Sequence, residues 1–165
     1  MSPARAALLR RLVAEVDAFP SDPYVRIAVD GVDGAGKSTF AGELSATLRD
    51  IRRPVVHASV NGVHRPRILR PARGSRDPED FHRDSYDLAA LEREMLDPFA
   101  PGGDGAHRTH VFDARTDRPR LAEQGQAALG TVLVVDGIFL HRPELHRRWT
   151  WSLWLDVEHV TTLQR

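Results

Sequence analysis

The stretch YVRIAVDGVDGAGKST, residues 24–39, holds a β-forming apolar run that passes without pause into a glycine loop, and a helical pattern from Lys37 to Asp50 follows. Strand, loop and helix stand in the order required by the spacing G-x-x-x-x-G-K-[ST], which Gly31 to Ser38 satisfies. The glycines let the backbone curl until successive N–H groups point inward, and the helix that starts there adds the positive end of its dipole. A cradle of that kind takes phosphate oxygens. Gly31, Asp33, Gly34, Ala35, Gly36, Lys37, Ser38 and Thr39 are therefore the candidate phosphate-binding residues. Lys37 would reach the β- and γ-phosphates of ATP, and the Ser38 hydroxyl would ligate Mg²⁺.

Lys37 is the single lysine among 23 basic side chains, all others being arginine. A planar guanidinium is no substitute for a compact ammonium on a thin stem, so this one lysine marks a position that chemistry has fixed. With no lysine after it, the chain lacks the Asn-Lys-x-Asp segment that reads guanine. Further on, VLVVDG at residues 132–137 is an apolar strand ending in a carboxylate. Asp136 is what a Walker B strand supplies to Mg²⁺ or its waters.

The bulk properties bound the rest. At 165 residues the chain has the size of one domain, residues 1–165, and its formal charge of +0 creates no field that favours a polyanion. Aromatic and basic residues are not interleaved, so no nucleic-acid platform is expected. The absence of cysteine removes disulfides, thiol catalysis and thiolate metal sites, and fits a cytoplasmic protein. No apolar run has the length of a membrane span, and the N-terminus has no secretory signal pattern.

Leu8, Leu9, Leu12, Val13, Val16 and Phe19 recur at helical spacing, which predicts an amphipathic helix over 4–19 within an N-terminal segment 1–20. It is expected to pack across the sheet edge, where it would offer a contact for a homo-oligomer. Strands are predicted at 54–60, 131–136 and 151–157, the last two with apolar residues on both faces. Strands alternating with helices give an α/β fold, a doubly wound parallel sheet with helices on both faces. Residues 61–130 exceed what a crossover needs and are read as an acceptor-binding insertion. A helix at about 86–96, a loop at 98–105, a hairpin near 109–117 and a helix around 121–129 are expected within it. Arg65, Arg67, Arg70, Arg73 and Arg76 crowd its start and read as a solvated basic loop, and Asp84 lies just beyond. His107 and His110 read as surface residues; Trp149, Trp151 and Trp154 read as core and strand-edge packing.

Beyond the phosphate loop, three segments carry a more specific signal: SVNGVHRPR at 59–67, VFDARTD at 111–117 and DGIFLHRPEL at 136–145. In this order they resemble the uridine kinase-like P-loop kinases, a group related to phosphoribulokinase and pantothenate kinase. The resemblance covers nearly all of 25–165 and implies ATP-dependent phosphoryl transfer to a hydroxyl of a small, nucleoside-like acceptor. It implies a substrate role for Asp113 and, with it, Asp87; His64, Arg65 and Arg118 are read as acceptor-side residues beside them.

The sequence departs from the family at three places. Asn61 stands where the resemblance calls for an aspartate that takes the acceptor's proton, and a neutral amide cannot take one. Such a base is commonly worth about 10²- to 10⁴-fold. Val63 stands where an aromatic residue is expected. The chain stops at Arg165, so the C-terminal lid and last strand of these kinases are expected to be missing, with Arg165 read as a first lid arginine. The catalytic set is then Lys37, Asn61 and Asp136, with a non-catalytic ATP-binding module as the rival reading.

Overall fold

The first strand is hidden on both edges and both faces, and this placement organises the molecule. The computed structural model describes residues 2–19, 23–69 and 85–157. In chain order the main elements are α1 (Pro3–Asp17), β1 (Val25–Gly31), α2 (Lys37–Asp50), β2 (Val55–Ser59) and α3 (Leu88–Leu91). Four two-residue strands follow: β3 (Ala106–His107), β4 (Phe112–Asp113), β5 (Arg118–Pro119) and β6 (Gly125–Gln126). β7 (Val132–Asp136) and β8 (Trp151–Leu155) complete a parallel sheet of order β2-β7-β1-β8.

The in-register pairs Val29↔Asp136 and Ser59↔Asp136 bring the ends of β1, β2 and β7 to one level, where the phosphate loop leaves β1. Side chains alternate across the sheet, so two cores form. On one face Leu9, Val13 and Val16 of α1 and Leu44 and Leu48 of α2 pack on Ile27, Val29 and Val134. On the other, Leu91, Leu96 and Phe99 pack on Ala28, Leu133 and Val135. Each fully buried Leu or Val contributes about 1.5–3 kcal/mol, so both layers are substantial.

Local signals set the ends of the helices. Ser2 caps α1 by accepting the Arg5 N–H at 3.3 Å, with Pro3 at the first position. α2 starts differently. Its N-cap is Gly36 at φ 84°, a left-handed conformation that favours glycine, and no side chain caps the helix. The N–H groups of its first turn therefore face the loop.

Several expectations need correction. α1 lies beside α2 on one sheet face rather than across an edge, because its Leu9-Val13-Val16 stripe is continuous with the β1 and β7 core. β8 is an edge strand whose Ser152 and Trp154 are exposed, so only one of its faces is packed. The helix at 86–96 forms as α3 and widens into a π-helical turn over Glu92–Leu96. The helix expected around 121–129 is absent. Gly125 pairs with His107 there, and a Cβ at Gly125 would meet the imidazole at 2.8 Å. Ala122 and Ala127 donate their N–H groups to His110 and Gly105 instead of to a helical turn. His107 is correspondingly buried, its ring 5.1 Å from that of Phe99. The hairpin near 109–117 is β4 paired with β5, shifted so that Asp117 turns it at φ 56°. Arg70, Arg73, Arg76, Asp84 and Arg165 lie outside the described residues. Among the described residues no helix is long and apolar enough to cross a membrane.

Candidate active site

The loop Gly31–Gly36 passes from β1 into α2 with Gly34 at φ 77° and Gly36 at φ 84°. Asp33 is exposed and accepts the Gly34 N–H at 3.1 Å, which stiffens the loop tip. Lys37 is buried at the helix start, with Nζ donating to the Val32 carbonyl at 2.7 Å. Burial lowers its pKa from the usual lysine value, and the carboxylates of Asp33, Asp30 and Asp136 oppose that shift. The ammonium thus sits among acidic groups, turned back over its own loop. Ser38 and Thr39 are exposed on the first turn of α2, where a ligand in the loop would meet them.

Asp136 is the hub. It is almost fully buried, and the polar side chains that face it come from α2 and β2. Ser38 Oγ of α2 donates to Oδ2 at 2.5 Å, and Ser59 Oγ of β2 donates to the same oxygen at 3.2 Å. His57 Nε2, also from β2, donates to Oδ1 at 2.7 Å. A hydroxyl and a carboxylate oxygen in contact at the mouth of a phosphate loop are the hard donors that suit Mg²⁺. Ser38 and Asp136 fit that ion.

Past Asp136 the chain must turn sharply. A Cβ at Gly137 would lie 2.0 Å from Val60 Cγ1, so only glycine fits. Phe139 follows at φ 66°, a left-handed conformation. This turn brings the His141 N–H onto Asp30 Oδ2 at 2.8 Å, while Asp30 Oδ1 accepts the Gly31 N–H at 2.7 Å. One buried carboxylate thereby ties the base of the phosphate loop to the segment after β7.

A cavity of about 360 Å³ opens beside Ser38 and Asp136 and is lined by His57, Ser59, Gly62, Thr109 and His110 as well. Gly62 lets the insertion cross closely. Its carbonyl accepts the Val111 N–H at 2.9 Å, and a Cβ there would meet His110 Cβ at 2.7 Å.

None of the other sequence-derived site residues is among those lining this cavity. Asn61 is exposed next to it, its N–H on Ser59 Oγ at 3.3 Å and its Oδ1 accepting from the Tyr86 hydroxyl at 3.4 Å. Val63 is buried in the core rather than offering a stacking face. His64 donates through Nδ1 to the Ser85 carbonyl, 3.1 Å away, and its ring lies 4.5 Å from that of Tyr86. The Arg65 N–H donates to the same carbonyl. Asp87 caps α3 by accepting the Ala90 N–H at 3.0 Å. Asp113 accepts the N–H groups of Arg115 and Thr116, which holds its pKa below the usual aspartate value, and Arg118 is exposed on β5. His57 and Thr109 line the cavity without having been marked by the sequence reading, and His110, read there as a surface residue, lines it as well. Their signal was tertiary, since only the β2–β7 register and the Gly62 crossing bring them there.

No protein-family model and no curated protein matches this sequence. Solved structures do match. A possible uridine kinase from Bacillus stearothermophilus superposes with a TM-score of 0.78 at 19% identity, over 94% of this chain and 83% of that one. A candidate fructose transport system kinase from Silicibacter sp. TM1040 gives 0.73 at 21% identity, over 98% and 78%. The chain therefore has the fold of these two structures, a P-loop kinase-like α/β fold in which a parallel sheet carries the glycine loop after β1 and a carboxylate at the end of β7.

Proposed function

We propose that the protein transfers the γ-phosphoryl group of ATP to a hydroxyl of a small, nucleoside-like acceptor. The observation that carries this reading is that Ser38, in the uncapped first turn of α2, and Asp136 both line the 360 Å³ cavity, so that the glycine loop and a space for an acceptor adjoin at these two residues. A transferring phosphoryl group needs that arrangement, because nucleotide and acceptor must approach in line from opposite sides. Bound Mg²⁺ would neutralise charge on the phosphates. Lys37 would stabilise the transferring group, Ser38 and Asp136 would hold the ion, and Gly62, Thr109 and His110 at the cavity wall would help to exclude water from the acceptor.

A second reading follows from Asn61. Its amide can orient a hydroxyl by hydrogen bonding but cannot remove the proton. On this reading the chain binds ATP without turning it over. ADP release from Mg·ATP, measured over a panel of nucleosides and small alcohols for the wild type and Asn61→Asp, separates the two. Acceptor-dependent release by the wild type supports the kinase. Release by Asn61→Asp alone means an intact acceptor site lacking its base. Binding of Mg·ATP with no release by either chain supports the non-catalytic module.

A further inference from the structure

We infer that His57 is a positioning residue for the metal-binding carboxylate, an inference that rests on the phosphate-loop reading above. Asp136 has two oxygens with different company. Oδ2 faces Ser38 Oγ at 2.5 Å and Ser59 Oγ at 3.2 Å, on the side of the phosphate loop. Oδ1 is taken by His57 Nε2 at 2.7 Å. A carboxylate only accepts, so the imidazole donates from Nε2. The carboxylate plane is thereby pinned from behind, and Oδ2 is the oxygen left to present forward.

The pairing is built into the sheet. β2 and β7 run parallel with Ser59 opposite Asp136 and His57 opposite Val134, so the imidazole and the carboxylate share one face and meet on the diagonal. The Asp136 side chain is 2% exposed and that of His57 27%, so the bond is screened from water on the carboxylate side and open to the cavity on the other. Without that donor, Oδ1 would be a buried carboxylate oxygen with no hydrogen-bond partner among the described residues, and the carboxylate could rotate to seek one. A hydrogen bond to a metal-binding side chain fixes its orientation, and losing such a partner typically lowers metal affinity about 10- to 100-fold.

The test uses the whole chain in three forms: wild type, His57→Leu, which removes the donor, and His57→Gln, whose side-chain N–H reaches the same place. Nucleotide affinity is measured in EDTA by calorimetry. Metal affinity is then measured by titrating Mn²⁺, detected by its free-ion paramagnetic resonance signal, into each chain saturated with a non-hydrolysable ATP analogue. The expected result is a 10- to 100-fold loss of Mn²⁺ affinity in His57→Leu, recovery to within about threefold in His57→Gln, and equal affinity for the analogue in EDTA throughout. Unchanged Mn²⁺ affinity in His57→Leu overturns the inference, as does an equal loss in both variants, which would assign the effect to ring packing. A wild-type chain that takes up no analogue in EDTA refutes the phosphate-loop reading itself, and the positioning role with it.

Discussion

Gly137→Ala tests whether the floor of the site is as tightly built as its geometry implies. The added Cβ would lie 2.0 Å from Val60 Cγ1 and 2.7 Å from Val60 Cβ, where real contacts do not fall below 3.0 Å. Val60 is 2% exposed and has a short, branched side chain, so it cannot swing aside; it must move with its backbone. Overpacking of this kind costs about 1–3 kcal/mol. For a chain of this size that lowers Tm by roughly 2–12 °C. Because Val60 opens the turn that carries Asn61 and Gly62, the shift enters the cavity, and acceptor KM should rise more than ATP KM. The assay is thermal unfolding of Gly137→Ala, Val60→Ala and the double variant, followed by acceptor kinetics. Val60→Ala removes the clashing methyl, so the double variant should be more stable than the sum of the single losses by at least about 1 kcal/mol. Simple additivity, or an unchanged Tm in Gly137→Ala, would refute the reasoning.

Lys37→Met should leave the unliganded fold as stable as the wild type or more so, because burial disfavours the ammonium, while nucleotide affinity falls by about 10²-fold or more. The sign follows from linkage: with the folded pKa below the ordinary 10.5, the unfolded chain binds the extra proton in the interval between them. Wild-type stability therefore rises with pH as it approaches 10.5 from below, and chemical denaturation across that interval should find the rise missing in Lys37→Met. For Asp113 the sign is the same in an acidic window: its folded pKa lies below 3.8, so stability again rises with pH across that interval, and the contribution present above 3.8 is lost as pH falls through the folded value. Asp113→Asn should remove that part of the acid loss in a Tm-against-pH series.

How far the sequence could be read differs by element, for physical reasons. α2 was legible to its ends because a glycine turn, a lysine and a helical pattern mark it locally, and β7 because a run of five apolar and acidic residues buried on both sides has no other reading. The error at 121–129 came from helical composition without a tertiary partner. The backbone there is claimed by His110 and Gly105, which no local pattern announces. β8 reads as doubly buried because Trp151, Leu153, Trp154 and Leu155 are all apolar, yet its place at the sheet edge leaves Trp154 53% exposed. Lys37, Ser38 and Asp136 were visible through their spacing, whereas His57 depends on strand register, a relation between residues 57 and 136 that no single window contains.

The strand order also governs how the chain folds. β1 lies between β7 and β8, and its backbone partners begin at Val132 and Trp151. During synthesis the glycine loop and its helix emerge early, but the strand that holds them has no neighbour until most of the chain is made. Parallel pairing over such separations is slow, and it leaves apolar strands uncovered while they wait. ATP would then act late, as a ligand that locks a sheet already closed, and a ribosome-stalled chain that ends before Val132 should be sensitive to protease with or without nucleotide.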